Sequence, residues 1–173
     1  GRGPALSNSL FENNAEYSLG MVLSINQQRL RLAQEVRELA GETRDENLRA
    51  ALAAWLDGYE SKERTVELSD AVIRALEECG EDGELINTVR ASRDQLVKKS
   101  MWMYGGDGWA YDIGYGGLDH VLASGVDVNI LVVDTEVYSN TGGQASKATP
   151  LGAVAQFAAA GKRTEKKDLG MLA

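Results

Sequence analysis

The sequence YGGDGW at residues 104–109, followed by VVDTEVYSN at residues 132–140, decides the fold of this chain. The first begins where a short apolar run, Ser100–Tyr104, ends, and the second closes another apolar run, Val128–Val133. The segment between them, Tyr111–Ser124, is predicted to be a helix that stops at a glycine. This order predicts a βαβ unit, in which the carboxyl ends of two parallel strands meet at one edge of a sheet. The continuous β-branched run of the second strand is typical of a strand buried on both faces.

The residues after the second strand predict a loop and one further helix. Thr135–Pro150 is polar and is predicted to be a long loop. Leu151–Ala160 is rich in small residues and is predicted to be a helix closed by Gly161. The whole unit is therefore βαβα. Because two strands alone do not form a stable sheet in water, we expect further strands outside this sequence.

The residues before the first strand predict a lead-in loop and a block of helices. Apolar residues recur at three- and four-residue steps along four segments, which are Val22–Leu39, Leu48–Tyr59, Val66–Leu76 and Ile86–Leu96. Gly41 is expected to end the first helix. Lys98 and Lys99 are expected in the last turn of the fourth, where cations suit the helix dipole. The predicted organisation is a lead-in loop and helical block over residues 1–99 and a βαβα unit over residues 100–173.

Composition and charge exclude several classes of function. A formal net charge of −8 over 173 residues disfavours binding to nucleic acid or to an anionic membrane. No apolar run approaches the roughly 20 residues that span a bilayer. A single cysteine, Cys79, excludes an internal disulfide and an iron–sulfur cluster held by this chain alone, and a reducing cytoplasm is the simplest setting. Because the sequence starts at Gly1 and breaks off at Ala173, we expect it to be a piece of a larger protein.

Oxygen-bearing residues follow both predicted strands and indicate a metal site. Asp107 lies just past the first strand and Thr135 just past the second. In an open parallel sheet, ligands bind beyond the carboxyl ends of the strands. Mg²⁺ takes oxygen ligands in octahedral geometry, some from protein and the rest from phosphates and water. The Asp107 carboxylate, the Thr135 hydroxyl and a backbone carbonyl such as that of Val137 meet this demand.

The flanking residues fit a diphosphate held by that metal. Gly106 lets the backbone turn and approach the diphosphate without a Cβ atom in the way. Gly108 opens the next segment, where free N–H groups favour phosphate. Asn140 and the threonine and glycines that follow it offer an amide donor and exposed N–H groups at the same strand end.

Residues 106–108 also have a simpler interpretation, since Gly-Asp-Gly is a common strand-ending turn. The second strand and its polar loop at this spacing favour the functional interpretation. Rival phosphate motifs fail. A dinucleotide-binding fingerprint starting at Gly106 or Gly114 needs Gly or Ala where this chain has Tyr111 or Asp119, and no P-loop ending occurs.

At these residues the chain resembles the thiamine-diphosphate segment of pyruvate:ferredoxin (flavodoxin) oxidoreductases. The stretches that carry the resemblance are GDGWAYDIGYGGLDH at 106–120, DTEVYSNTGGQ at 134–144 and AAAGKRT at 158–164, with NSLFE at 8–12 and AEY at 15–17 as a lead-in. The resemblance is strong over residues 100–168, fair over 1–25 and weak across the helices between. It implies an α/β fold, namely part of the thiamine-diphosphate-binding parallel-sheet fold preceded by a helical insertion.

The resemblance also implies roles for individual residues. Mg²⁺ is expected to be bound by the Asp107 carboxylate, the Thr135 side chain and the Val137 carbonyl. Asn140 is expected to face the reacting centre as the catalytic side chain. The residues that the resemblance places along the cofactor are Gly106, Asp107, Gly108, Trp109, Thr135, Glu136, Val137, Tyr138, Ser139 and Asn140.

The enzymes of this family decarboxylate pyruvate, pass electrons through iron–sulfur clusters to ferredoxin or flavodoxin, and transfer the acetyl group to coenzyme A. The larger enzyme of which this chain is expected to be a piece, the parent enzyme, is expected to be a homodimer. The cluster cysteines are absent from this chain, and the glutamate that activates the thiamine belongs to a domain that is not present. The chain therefore looks like the diphosphate–Mg²⁺ half of a site. The alternative is a non-catalytic helical interaction module that carries a remnant of the fold.

Overall fold

The computed structural model describes residues 14–139 and 141–173, and it divides the chain into two compact units. One unit is formed by the residues up to Val22 together with Ser100–Ala173, and the other by Leu23–Lys99. The first helix, α1 (Ala15–Glu42), contributes residues to both. Most of the predicted lead-in loop lies outside the described residues. Within the described ranges, no helix is long and apolar enough to cross a membrane.

The helical unit follows the predicted apolar pattern. After α1 come α2 (Glu46–Asp57), α3 (Thr65–Glu78), α4 (Glu84–Ala91) and a 3₁₀ turn (Arg93–Gln95). Their apolar faces form one core, whose fully buried members include Leu32, Val36, Leu48, Leu52, Trp55, Val72, Val89 and Leu96.

Two boundaries in this unit differ from the prediction. Gly41 does not end α1, which continues to Glu42. Lys98 and Lys99 lie beyond α4, because the chain leaves the helix at Ala91 and turns to bury Leu96. Burying Leu96 removes apolar surface from water, whereas a cation in the last turn of a surface helix is worth only about 0.3–1 kcal/mol.

The other unit contains the predicted parallel strand pair, and the α/β class is confirmed at this level. Strand β1 (Trp102–Gly105) pairs in parallel with β2 (Asn129–Val132), with Trp102 opposite Asn129 and Gly105 opposite Val132. The connection contains a single turn, α5 (Asp107–Ala110), and then α6 (Tyr115–Ser124). The helix predicted from Tyr111 therefore begins four residues later. As predicted, it stops at Gly125, which adopts a left-handed φ of 66°.

The second strand is not buried on both faces, so that prediction is wrong. Leu131 is 51% exposed, and on the same side of the sheet Trp102 and Tyr104 of β1 are 62% and 57% exposed. The opposite face is covered by the start of α1 and by α6, through Ala15, Leu19, Val22, Leu118 and Val121. A run of β-branched residues indicates that a strand prefers burial. It does not state that the same piece of chain supplies both covering layers.

The residues described after β2 contain a hairpin and no long helix. Strands β3 (Val137–Tyr138) and β4 (Gln144–Ala145) pair antiparallel within the predicted loop. The helix predicted over Leu151–Ala160 is wrong. Gly152 and Phe157 adopt positive φ angles of 77° and 65°, which interrupt a right-handed helix. The Gln156 N–H donates to the Gly143 carbonyl at 3.0 Å instead of closing a helical turn.

The physical reason is that alanine side chains bury little surface. A helix made of them gains little from tertiary packing, which supplies most helix stability in proteins. The loop-to-loop hydrogen bonds of this segment therefore prevail. The chain ends with one helical turn, α7 (Leu169–Leu172), capped by the Asp168 carboxylate, which accepts the Met171 N–H at 3.1 Å.

Candidate metal centre

The structure brings Asp107 and Thr135 together at the carboxyl ends of β1 and β2. Asp107 is only 3% exposed. Its Oδ1 atom accepts the backbone N–H of Thr135 at 3.0 Å, although the two residues are 28 positions apart. Parallel pairing produces this contact, because the Gly105 carbonyl accepts the N–H of Val133 at 2.8 Å and so aligns the two strand ends. The predicted proximity of these two residues is therefore present, through the Asp107 side chain and the Thr135 backbone.

Val137 completes the predicted set of oxygen atoms. The Thr135 hydroxyl donates to the Val137 carbonyl at 2.8 Å. Glu136, between them, has a left-handed φ of 64°, which folds the loop back so that these two oxygens meet. Neighbouring oxygens of an octahedron with ligands at 2.0–2.1 Å lie about 3 Å apart, so this pair already has the spacing of two Mg²⁺ ligands.

The set of donors matches a hard cation that also binds another group. In the described part of the chain, no three or more His, Cys, Asp or Glu residues cluster as a metal site. One carboxylate, one hydroxyl and one carbonyl leave about half of an octahedron for other oxygens. That is the usual arrangement for Mg²⁺ bound to a phosphate.

Two buried hydroxyl residues that the sequence analysis missed lie beside this set. Ser146 Oγ donates to Asp107 Oδ2 at 2.9 Å, so both oxygens of the carboxylate accept hydrogen bonds. The Thr149 hydroxyl donates to the Glu136 carbonyl. Ser146 and Thr149 are 5% and 1% exposed. In the sequence they are two polar residues of a polar loop, and only their spacing of three, typical of a serine/threonine turn, distinguishes them.

A tyrosine and a lysine hold the carboxylate of Asp134, the residue before Thr135. The Tyr111 hydroxyl donates to Asp134 Oδ2 at 2.7 Å, and Lys166 Nζ lies 2.6 Å from the same oxygen. Burial, together with this hydrogen bond, raises the pKa of Tyr111 to about 12. Burial alone would raise the pKa of Asp134, but the bonds from Lys166 and Tyr111 lower it below its ordinary value. Asp134 is thus held as a carboxylate and Tyr111 as a protonated donor.

The residue after Val137 is a second tyrosine, Tyr138, and it is held by Asp112. The Tyr138 hydroxyl donates to Asp112 Oδ2 at 2.6 Å, and the Lys147 N–H donates to the same oxygen at 3.3 Å. Burial and the bond to Asp112 raise the pKa of the Tyr138 phenol above its ordinary value. The loop that carries Thr135 and Val137 is therefore fixed on both sides by tyrosine–aspartate hydrogen bonds.

The basic residues near the end of the chain are largely used within it. Lys162 Nζ donates to the Thr149 carbonyl at 2.5 Å, and Lys166 pairs with Asp134. Lys167 Nζ lies 3.0 Å from the centre of the Tyr115 ring and donates to the Tyr111 carbonyl at 3.3 Å. Their common effect is to fasten the last residues of the chain against the site.

The remaining predicted site residues are placed as follows. Gly106 is extended at φ −97°, and a Cβ atom added there would have as its nearest neighbour only the Val133 carbonyl, at 3.8 Å. Trp109 is 3% exposed and belongs to the core. A Cβ atom on Gly105 would lie 2.7 Å from its indole. Gly108 is in α5, Glu136 and Ser139 are exposed, Tyr138 is half-buried, and Asn140 lies outside the described residues.

Comparison with known proteins gives a consistent result over the whole chain. No family model matches it. It is 53% identical over 173 residues to the pyruvate-flavodoxin oxidoreductase of Klebsiella pneumoniae, and 51% identical over 178 residues to the pyruvate:ferredoxin oxidoreductase of Moorella thermoacetica. It is 46% identical over 174 residues to a mitochondrial pyruvate dehydrogenase [NADP(+)] of Euglena gracilis.

Each of these matches covers 100% of this chain but only 15%, 15% and 10% of the relative, respectively. The chain thus spans about one seventh or less of the curated relatives that it matches. The resemblance predicted from the sequence is confirmed. It also extends through the helical unit, where the motifs alone indicated only a weak likeness.

Proposed function

We propose that this chain is the part of a pyruvate:ferredoxin (flavodoxin) oxidoreductase that binds Mg²⁺ and the diphosphate of thiamine diphosphate. The observation that carries the proposal is a pair of hydrogen bonds that joins Asp107 to Thr135 and Thr135 to Val137 at one edge of the parallel sheet. The similarity to oxidoreductases over the whole chain supports the same assignment.

The chemistry of the donors fits the cation. A carboxylate as deeply buried as that of Asp107 is costly unless it is compensated. Its two hydrogen-bond donors in the described part of the chain, the Thr135 N–H and the Ser146 hydroxyl, are both neutral. Lys166 acts on this carboxylate only through space, whereas a bound divalent cation supplies a positive charge in direct contact with it. In the bound form the Thr135 hydroxyl turns its lone pairs to the cation and gives up its hydrogen bond to the Val137 carbonyl.

The space above Gly106 fits a diphosphate. Neither the backbone angle nor the surrounding atoms of the chain require glycine at this position. An external group that approaches the backbone closely gives a reason for it, since any side chain would occupy that space. Gly105 is different, because its own protein neighbour, Trp109, already excludes a side chain.

The residues of the proposed site, among which only Asn140 lies outside the described ranges, then have separate tasks. Asp107, Thr135 and Val137 hold the cation, and the cation holds the diphosphate. Gly106, Gly108 and the loop from Thr135 to Ser139 line the cofactor, and Trp109 supports that lining from the core. Asn140 is proposed to face the substrate. Thiamine diphosphate, when bound, stabilises the carbanion that forms when a 2-oxo acid loses carbon dioxide.

The activity of the whole protein is part of the proposal. It comprises pyruvate and coenzyme A as substrates, ferredoxin or flavodoxin as the acceptor, iron–sulfur clusters in other domains, a homodimeric assembly and a cytoplasmic setting. None of the clusters is held by this chain, whose single cysteine, Cys79, is buried in the helical unit.

A chimera provides the test in a complete enzyme. The stretch of the Klebsiella pneumoniae relative that matches this chain is replaced by the chain itself. Isothermal titration then measures thiamine diphosphate binding with Mg²⁺ present. We expect Asp107→Ala and Thr135→Ala to weaken binding by more than the roughly tenfold typical of outer-shell changes. Asp119→Asn, on the exposed side of α6, serves as the control. Unchanged affinity in the two site variants would refute the assignment.

Turnover separates this proposal from the alternative of a non-catalytic module. With pyruvate, coenzyme A and a viologen acceptor, the chimera is expected to reduce the acceptor. A chimera that folds and binds its clusters but neither binds thiamine diphosphate nor turns over would favour the non-catalytic interpretation.

A further inference from the structure

We propose that the hydroxyl groups of Ser146 and Thr149 position the ligands of this cation site, so that the turn from Ser146 to Thr149 sets its affinity for the metal. The inference rests on the proposed function and adds residues to it. Neither residue is one of the proposed ligands. Each contacts a ligand, or the residue between two ligands, from a part of the chain that lies beyond the hairpin of β3 and β4.

Ser146 fixes the direction of the Asp107 carboxylate. Its hydroxyl donates to Oδ2 at 2.9 Å, while the Thr135 N–H donates to Oδ1 at 3.0 Å. With both oxygens held, the carboxylate cannot rotate about its last bond without losing a hydrogen bond. The lone pairs that remain are therefore presented in a fixed direction. Outer-shell groups that orient ligating carboxylates in this way commonly tune metal affinity.

Thr149 fixes the backbone between Thr135 and Val137. The left-handed conformation of Glu136 brings the hydroxyl of one and the carbonyl of the other together, and it is unfavourable for any residue except glycine. The Glu136 carbonyl accepts the Thr149 hydroxyl, and this bond holds the strained residue in place. Without it, the loop is free to relax to a conformation in which the two oxygens separate.

The two hydroxyl groups belong to one buried network. The Ser146 N–H donates to Thr149 Oγ1 at 2.9 Å, and the Ala148 N–H donates to Ser146 Oγ at 3.0 Å. Lys162 anchors the end of the turn through the Thr149 carbonyl. A single rigid turn therefore braces both the Asp107 carboxylate, at the start of α5, and the loop after β2. Removal of either hydroxyl disturbs both.

If the turn had a purely structural role, its variants would lose stability without a specific loss of metal affinity. The pair Thr149→Val and Thr149→Ser separates these two roles. Valine keeps the shape of threonine without the hydroxyl, while serine keeps the hydroxyl without the methyl group. Ser146→Ala removes the other hydroxyl, and Ser146→Thr retains it. Ser124→Ala removes a serine hydroxyl at the end of α6, where it bonds only local backbone, and is the matched control.

The readout is Mn²⁺ binding to the chimera at saturating thiamine diphosphate. It is measured from the electron paramagnetic resonance signal of the Mn²⁺ that stays free in solution. Thermal unfolding without metal or cofactor is measured in parallel. We expect Ser146→Ala and Thr149→Val each to weaken Mn²⁺ binding about tenfold or more. The Mn²⁺ affinities of Thr149→Ser and Ser124→Ala should stay within about twofold of that of the unsubstituted chimera, because both variants keep the hydrogen bonds of Ser146 and Thr149.

The possible failures are distinct. If the unsubstituted chimera binds no Mn²⁺ with thiamine diphosphate, the proposed function is wrong, and this inference fails with it. If the unsubstituted chimera binds Mn²⁺, and both Ser146→Ala and Thr149→Val bind it equally well, only the inference is wrong. If Thr149→Val does not fold, Ser146→Ala against Ser146→Thr decides the question. Equal weakening in Thr149→Ser and Thr149→Val would also overturn it, since the hydroxyl would then be irrelevant.

Discussion

The backbone N–H of Thr135 donates a hydrogen bond to Oδ1 of Asp107 at 3.0 Å and so joins the segments that follow two neighbouring parallel strands. This bond makes the two strand ends one site. The loop after Thr135 then turns back at Glu136 and brings the Val137 carbonyl to 2.8 Å from the Thr135 hydroxyl. The predictions below separate what this arrangement does for the fold from what it does for a ligand.

Asp107→Asn is expected to separate stability from metal binding. Asparagine still accepts the Thr135 N–H through its oxygen, and its amide is near the Ser146 hydroxyl, so the free energy of unfolding without ligand should change by less than about 1 kcal/mol. Loss of the charge should nevertheless remove Mg²⁺-dependent binding of thiamine diphosphate. Urea unfolding and isothermal titration measure the two quantities. Retained Mg²⁺ affinity in this variant would mean that the carboxylate is not a ligand.

Glu136→Gly is expected to stabilise the loop. A left-handed conformation costs a non-glycine residue about 1–2 kcal/mol, while glycine loses about 0.5–1 kcal/mol more backbone entropy on folding. The variant should therefore be as stable as the parent or up to about 1 kcal/mol more stable. The exposed contact between Glu136 and Lys166, at 3.9 Å, contributes little. Glu136→Val should instead lose about 1 kcal/mol or more, since branching adds to the strain. Urea unfolding of the three proteins gives the order, and valine equal to glycine would contradict the geometry.

Gly105→Ala and Gly106→Ala form a matched pair of adjacent substitutions with opposite expectations. At Gly105 the added methyl group would lie 2.7 Å from the Trp109 indole, so stability should fall by about 1–3 kcal/mol. At Gly106 its nearest protein atom would be the Val133 carbonyl oxygen at 3.8 Å, an ordinary contact, and stability should change little. Binding of thiamine diphosphate should show the converse effect at Gly106, with a clear loss of affinity. Full affinity in Gly106→Ala would show that no diphosphate approaches this backbone.

Tyr111→Phe is expected to reveal an alkaline dependence of stability. The phenol ionises near pH 10 in the unfolded chain but only near pH 12 in the fold. A group with a raised folded pKa stabilises the fold fully below its unfolded pKa. That contribution is lost as the pH rises through the folded pKa. The parent should exceed Tyr111→Phe by about 1 kcal/mol up to pH 10, and this difference should shrink between pH 10 and pH 12. A difference in the free energy of unfolding that stays constant to pH 12 would show that the hydroxyl is not held by Asp134.

The sequence predicted the strand pair and the proximity of Asp107 and Thr135, because parallel pairing aligns the ends of the two strands. The contact of Val137 with Thr135 depends instead on the left-handed turn at Glu136. The sequence also predicted the helical core, since apolar spacing reports directly on the buried face. What these residues bind remains a proposal. The similarity to known oxidoreductases over the whole chain is a second line of support for that proposal.

The sequence could not predict the segment after Pro150 or the role of Ser146 and Thr149. The segment Leu151–Ala160 is rich in alanine, which has a high helix propensity. Loop hydrogen bonds and two positive φ angles prevail over that propensity here. Ser146 and Thr149 carry no periodic signal, and their importance comes from contacts 39 and 13 residues away in sequence. Burial of β2 was overestimated because its second face is exposed in this chain.

An anomalous difference map at the manganese edge tests the central claim most directly, from crystals of the chimera grown with Mn²⁺ and thiamine diphosphate. The account predicts one strong peak bonded to the Asp107 carboxylate, the Thr135 hydroxyl and the Val137 carbonyl at about 2.0–2.3 Å, with diphosphate oxygens completing the octahedron. A cofactor bound with its manganese held by other residues, while the Thr135 hydroxyl still donates to Val137, would contradict it.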